Sequence, residues 1–337
     1  MSFHLHVRPR RLRRNAVIRG LCAETQLSVN KLIYPLFVRE GKGKTPIPSM
    51  PGQFVFSIQP ILKEIEECIA LGIHTIALFP QIVPDKKDPM GSEAYREEGI
   101  YIRALQAIKQ RFPNLCLISD VALDPYSSTG HDGWVSPEGE VSNDKTLPLL
   151  SRMAVLQAQS GADIIAPSDM MDGRVGYLRK ALDQADLRHI PIMSYSAKYS
   201  SSLYGPFRDA LGSAPKGDHV PGDKKTYQIN PKNRREATWE AKLDQEEGAD
   251  ILMVKPIGFY LDVLYEIRQI TPLALAAYQV SGEYAMFHAA AERGWIDLRS
   301  VVQESLFSIR RAGADMIISY FAKDFAVWNR KEDSPQP

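Results

Sequence analysis

The sequence predicts an α/β protein, a single (β/α)8 TIM-type barrel with an extended N-terminal arm. Three observations carry this. Eight short apolar runs alternate with longer stretches of helical period and length. A Gly-Ala-Asp triplet recurs at 161–163, 248–250 and 313–315, each time between an amphipathic segment and an apolar run. No linker rich in Gly, Ser and Pro divides the 337 residues. Length alone, at about 150 residues per domain, suggests two domains, and a doubly wound sheet is the alternative topology. Eight uninterrupted βα units favour one closed barrel. The expected division is an arm at 1–30, a barrel at 31–330 and a tail at 331–337.

The elements follow in order. Met1 to Arg14 carries Arg8, Arg10, Arg11, Arg13 and Arg14 without an apolar run, so it is no secretory signal. A transit peptide or a nucleic-acid arm are alternatives; the favoured reading is an arm that docks on an acidic neighbour. Strands are expected at Leu32 to Val38, Thr75 to Phe79, Cys116 to Val121, Ile164 to Ala166, Ile192 to Tyr195, Ile251 to Val254, Leu273 to Val280 and Met316 to Tyr320. Intervening helical segments make the strands parallel. The repeated glycine, and Gly72 in Leu71-Gly72-Ile73, supplies the left-handed residue that closes each helix. Gly205 to Asp223 mixes Gly, Pro, Lys and Asp and reads as an irregular lid over a pocket. Ser334 to Pro337 reads as a frayed end.

Composition excludes several classes. Hydrophobic residues at 44% and charged residues at 24% describe a folded, soluble chain. Lys plus Arg exceeds Asp plus Glu by one, 41 against 40, so no global field favours nucleic acid or acidic membrane. No apolar stretch reaches the roughly 18 residues of a membrane span. Cys22, Cys68 and Cys116 lie too far apart for a disulfide framework or a Cys-x-x-Cys motif, which points to the cytoplasm.

In a barrel, chemistry belongs at the carboxyl ends of the strands. Lys198 ends Met193-Ser194-Tyr195-Ser196-Ala197-Lys198, and Lys255 ends Ile251-Leu252-Met253-Val254-Lys255. Their spacing, about one βα unit, puts them on adjacent strands with backbones about 5 Å apart. Strand alternation gives Ser194, Ser196 and Lys198 one face, where the small serines would leave room for a ligand. Two close ammonium groups repel, and an apolar pocket disfavours charge, so at least one amine should approach neutrality and attack carbonyls. Schiff-base chemistry on a keto substrate is the functional reading; lysines that merely cap strands or pair with carboxylates are the alternative. Asp120 and Asp124 close the third strand and Asp132 follows, so these carboxylates could converge on magnesium or a monovalent cation, or simply hold an Asp-rich turn. Ser281 and Tyr320 offer hydroxyls, and Arg208 and Lys224 offer lid cations, for substrate carboxylates. Gly41-Lys42-Gly43-Lys44 lacks phosphate-loop spacing.

Asp120 to Gly133, Ser194 to Lys198, Tyr204 to Ala210, Met253-Val254-Lys255-Pro256, Tyr278 to Tyr284 and Ser319 to Lys323 together resemble the porphobilinogen synthase (δ-aminolevulinic acid dehydratase) family, with the likeness running from Arg8 to about Lys323. The resemblance implies a lyase of tetrapyrrole (heme) biosynthesis that condenses two 5-aminolevulinate molecules to porphobilinogen with loss of two waters. It implies that Lys255 forms the imine with the A-site substrate and Lys198 with the P-site substrate. Ser281 and Tyr320 would hold the P-site carboxylate, Arg208 and Lys224 that of the A site, and Asp120 and Asp124 would assist proton transfer.

The resemblance also bears on metals and assembly. Zinc-dependent relatives carry three cysteines where this chain has Ala122, Asp124 and Asp132, so no catalytic zinc is expected. The zinc-independent branch implies an allosteric magnesium held through water by Glu240, and homo-octamers whose arms embrace neighbours. Thr129 stands where many relatives have histidine, which removes any metal or proton role from that position; His131 orients the loop. Another Schiff-base barrel lyase or aldolase, and a catalytically degenerate barrel, are the competing readings.

Overall fold

The computed structural model describes residues 5–333, so the end expected at Ser334 to Pro337 lies outside the described residues. Each expected apolar run forms a strand. In chain order the strands are β1 (Leu32–Arg39), β2 (Lys44–Pro46), β3 (Phe54–Phe56), β4 (Thr75–Gln81), β5 (Cys116–Val121), β6 (Ile164–Pro167), β7 (Met193–Lys198), β8 (Ile251–Lys255), β9 (Ala274–Gln279) and β10 (Met316–Ser319). Eight of them lie parallel in the order β6, β5, β4, β1, β10, β9, β8, β7. A parallel bridge between Ile165 and Ile192 joins the two ends and closes the TIM barrel. Seven consecutive residues of β1, from Leu32 to Val38, are buried because helices cover the outside of the barrel while side chains fill the inside. That double burial is why the runs read as continuously apolar.

The hairpin of β2 and β3, which adds to β1, was not expected; three-residue strands carry too little pattern to be read. The last helix, Ala322–Asp333, extends into the segment expected as tail.

The triplet repeat has a double purpose. Gly161, Gly248 and Gly313 adopt φ of 104°, 103° and 122°, the left-handed region expected of them. Each aspartate then accepts a hydrogen bond from a backbone N–H at the start of the preceding strand unit: Asp163 from Leu117 at 2.8 Å, Asp250 from Ile192 at 2.8 Å and Asp315 from Leu275 at 2.9 Å. The bottom of the barrel is thereby stitched, strand to strand, by carboxylates.

Strand β7 departs from simple alternation. Met193 and Ser194 pair with Ile251 and Leu252, but Ala197 and Lys198 pair with Val254 and Lys255, so β7 holds one extra residue between Ser194 and Ala197. The expectation that Ser194 shares a face with Lys198 is therefore corrected. Ser194 points outward, to Arg174 and Asp244 on the helices behind the strand, and Lys198 points inward.

The lid expectation also changes. Gly205–Leu211 is a short helix, with Pro206 in the first turn, where its missing N–H costs nothing. Lys87 donates to the Gly212 carbonyl at 2.8 Å and Gln81 donates to the Ala210 carbonyl at 2.5 Å, which fastens this helix to the barrel mouth.

The arm contains a 3-10 turn (Pro9–Arg13) and a helix (Ala16–Leu21), neither of which buries a residue. No described helix is long and apolar enough to cross a membrane.

Candidate active site

Lys198 and Lys255 stand opposite each other in the β7–β8 register, as the spacing predicts. Both are closed off from solvent, each 6% exposed. Their surroundings differ. The Lys198 amine donates to Asp132 at 3.0 Å and to the Ser168 carbonyl. The Lys255 amine has no ion-pair partner among the described residues and sits 4.7–5.2 Å from the ring centres of Tyr195, Tyr204, Phe207 and Tyr278.

Burial first, and Lys198 second, push the Lys255 amine down to about 7, with Asp120, Asp124 and Asp132 working against the shift. A substantial neutral fraction therefore exists near neutral pH. The same ring faces that tolerate a neutral amine favour a cation once it forms, so the box suits an amine that becomes an iminium. These four aromatic residues were missed as functional by sequence reasoning. The available signal was an aromatic residue inside or beside each strand-end motif, including Tyr195 within the lysine strand and Tyr278 on β9.

Lys224 places its amine between two of the three aspartates, 3.2 Å from Asp124 and 2.8 Å from Asp132. Among the described residues no group of three or more His, Cys, Asp or Glu side chains is placed to hold a metal. Asp132 is buried, which opposes ionisation, but the ammonium groups of Lys198 and Lys224 overcome this and hold its carboxyl well below the usual aspartate value. Lys224 is in turn shifted upward: burial opposes the charge, and Asp124 and Asp132 outweigh it. Asp120, at the end of β5, has the opposite fate. Burial and the nearby Asp124 raise it to about 7, the range in which a carboxyl can both give and take a proton.

Of the other expected residues, Ser281 begins the helix Ser281–Glu292, where its hydroxyl accepts from the Phe207 N–H at 3.0 Å and so meets the lid helix. The Tyr320 hydroxyl lies 3.1 Å from that of Tyr278. Arg208 is half-buried, with its guanidinium carbon 6.0 Å from the Tyr204 ring centre. Lys224 and Arg208 thus share the lid side of the pocket, but Lys224 is engaged with aspartates. His131 accepts from the Tyr227 hydroxyl at 3.0 Å through Nδ1 and donates to the Pro221 carbonyl at 2.8 Å through Nε2, an assignment that satisfies both partners and bolts the lid's end to the Asp132 loop. Thr129 is a loop residue whose hydroxyl lies 2.8 Å from that of Ser127.

Glu240 is not brought to the lysines. It lines a separate cavity of about 290 Å³ with Asp172, Glu236 and Lys225. Its carboxyl is raised to about 7, by burial above all; Arg174 opposes the shift and Asp244 and Asp172 add to it.

Paired buried lysines at the mouth of a closed barrel, with a buried carboxyl of raised pKa beside them, fit a barrel enzyme of the lyase class. The comparisons then specify it. A family model described as Delta-aminolevulinic acid dehydratase matches residues 6–328. The delta-aminolevulinic acid dehydratase of Chlamydia pneumoniae is 55% identical over 323 residues, covering 95% of this chain and 96% of that one. The chloroplastic enzyme of the same name from Glycine max is 50% identical over 322 residues, 95% of this chain and 77% of its own. A crystal structure of delta-aminolevulinic acid dehydratase (porphobilinogen synthase) from Toxoplasma gondii, in complex with the reaction product porphobilinogen, superposes with a TM-score of 0.95 at 47% identity, covering 99% of this chain and 96% of that one. The chain belongs to the delta-aminolevulinic acid dehydratase (porphobilinogen synthase) family, the lyases of porphyrin biosynthesis.

Proposed function

We propose that two molecules of 5-aminolevulinate condense to porphobilinogen in the mouth of this barrel, with Lys198 and Lys255 each forming an imine to one of them. The observation that carries the reading is the direct pairing of two buried amines, one held by Asp132 and the other boxed by four rings. Each amine adds to a ketone, loses water and leaves an iminium, which is a better electrophile and acidifies the adjacent carbon. Tethering both molecules on neighbouring strands makes carbon–carbon and carbon–nitrogen bond formation effectively intramolecular. Two waters leave over the whole condensation, and both lysines are regenerated.

Lys255 serves the A-site molecule and Lys198 the P-site molecule. Ser281 and Tyr320 hold the P-site carboxylate. Arg208 and Lys224 hold the A-site carboxylate, with Lys224 turning from Asp124 and Asp132 toward it. Asp120 moves protons near the imines, a role its elevated pKa supports, and Asp124 assists. A monovalent cation in the region of Asp120, Asp124 and Asp132 would compete with Lys224 for the Asp124 and Asp132 oxygens.

Catalysis proceeds without zinc: the positions in question hold Ala122, Asp124 and Asp132, which provide no sulfur ligand. Magnesium acts away from the lysines, through the Glu240 cavity. Glu240, with Glu236 and Asp172 lining the same cavity, would hold a magnesium through the ion's own waters and not as a direct ligand set. The catalytic unit is a cytoplasmic homo-octamer; for the assembly alone, the arm offers support by exposing Val7 at 78%, Val17 at 73% and Leu21 at 82%, surface that a neighbouring subunit would cover.

Incubation with 5-aminolevulinate and magnesium, followed by Ehrlich's reagent, should yield a pyrrole. An aldolase would instead be trapped by borohydride with its own aldehyde or ketose, and a degenerate barrel would bind 5-aminolevulinate without turnover; absence of pyrrole would overturn the proposal.

A further inference from the structure

We infer that Arg174, acting with Ser194 and Asp244, is a positioning residue whose clamp on the β7 bulge turns Lys198 into the barrel. The inference rests on the reading of Lys198 as an imine-forming lysine.

Tyr195 and Lys198 both point into the barrel: the Tyr195 ring centre lies 5.1 Å from the Lys255 amine, and the Lys198 amine reaches Asp132. In a regular strand, residues three apart face opposite sides. The extra residue between Ser194 and Ala197 makes the shared direction geometrically permissible. Without it, Lys198 would project toward the helix layer, where Ser194 now points.

What grips this bulge is a buried guanidinium. Arg174 Nη2 donates to the Ser194 hydroxyl at 3.0 Å, to the Tyr195 carbonyl at 3.2 Å and to Asp244 at 3.1 Å, and the Ser194 hydroxyl donates to the same Asp244 oxygen at 2.6 Å. Two of these contacts fall on Ser194 and Tyr195, where the register slips. Nη1 ties the other side of the fork to the Met171 carbonyl at 3.3 Å, in the loop that follows β6.

Stability alone does not account for Arg174. It is 1% exposed, opens the helix Arg174–Gln184 at the end where a positive charge is disfavoured, and its Nε makes no hydrogen bond, with Asp169 only at a loose ion-pair distance of 3.9 Å. An apolar side chain of similar volume often serves a buried position at least as well as an ion pair. A guanidinium that gathers carbonyl, hydroxyl and carboxylate at one nitrogen and reaches the Met171 carbonyl with the other does something an apolar side chain cannot: it fixes where the strand gains its extra residue.

The test is imine trapping with labelled 5-aminolevulinate and borohydride, followed by peptide mapping of the two lysines in the full-length protein. In Ser194→Ala, the rate of labelling at Lys198 should fall on the order of tenfold while labelling at Lys255 stays close to that of the parent. Arg174→Lys should act in the same direction and more strongly, because a single ammonium on a shorter side chain cannot hold the Ser194, Tyr195 and Asp244 acceptors and the Met171 carbonyl together; if it fails to fold, Ser194→Ala decides. An unchanged labelling ratio in Ser194→Ala, or an equal loss at both lysines, overturns the clamp. Parent protein that labels only at Lys255 would overturn the role of Lys198 itself, and the clamp with it, which separates the two failures.

Discussion

Lys198 faces Lys255 directly across β7 and β8, yet only Lys198 lies within ion-pair distance of a carboxylate among the described residues. Two identical side chains on one ladder are thus prepared differently. One is anchored as a cation by Asp132. The other is enclosed by rings, and burial together with its neighbour's charge lowers its pKa to about 7. Nucleophilic attack needs the neutral amine, so the pair provides a ready nucleophile at Lys255 beside a charge that keeps it ready.

That arrangement fixes a pH dependence. Borohydride-trappable imine at Lys255 should form faster as pH rises through about 7, where the neutral fraction grows. Lys198→Met removes the repelling charge and leaves Asp132 less neutralised, and both changes favour protonated Lys255. The midpoint should therefore move upward. A midpoint that stays in place or falls would show that Lys198 does not tune its neighbour.

Asp132 holds two buried cations at once. Asp132→Asn leaves both poorly compensated and should lower stability by about 3 kcal/mol at pH 7, read from urea unfolding. Because the folded-state pKa of Asp132 lies below its ordinary value, this contribution is fully present above about pH 4 and is lost as pH falls below that toward the folded value. The gap between parent and variant should accordingly narrow in acid. A gap that is independent of pH would contradict the assignment.

Tyr320 keeps its ring stacked on Phe37, with centroids 6.1 Å apart, whether or not it carries a hydroxyl. Tyr320→Phe should leave the fold intact and raise KM for 5-aminolevulinate about tenfold, the cost of one hydrogen bond to a charged group, with kcat little changed. A fall in kcat at constant KM would move Tyr320 from carboxylate binding to the chemical step.

Glu240 lies in its own acidic cavity, away from the lysine pair. Glu240→Ala should abolish stimulation by magnesium while imine trapping at Lys255 persists. After treatment with EDTA, activity of the parent should return with magnesium or potassium; recovery with zinc alone would reverse the branch assignment.

Much of this protein is determined locally and was therefore legible in its sequence. Continuous apolar runs gave the eight strands because both sides of each strand are covered, and the repeated triplets marked where helices close. The spacing of Lys198 and Lys255 gave their adjacency because one βα unit advances the chain by one strand. The tertiary structure decided what depends on contacts distant along the chain. The direction of Lys198 follows from an extra residue gripped by Arg174 and Asp244, and no period in Met193 to Lys198 announces it. Lys224 sits between Asp124 and Asp132 because the lid folds back over the third barrel strand's loop, across about 100 residues of sequence. The unequal surroundings of the two lysines have the same origin: charge and burial are set by neighbours in space, and four rings and one aspartate, drawn from separate strands and loops, box one amine and hold its twin in an ion pair.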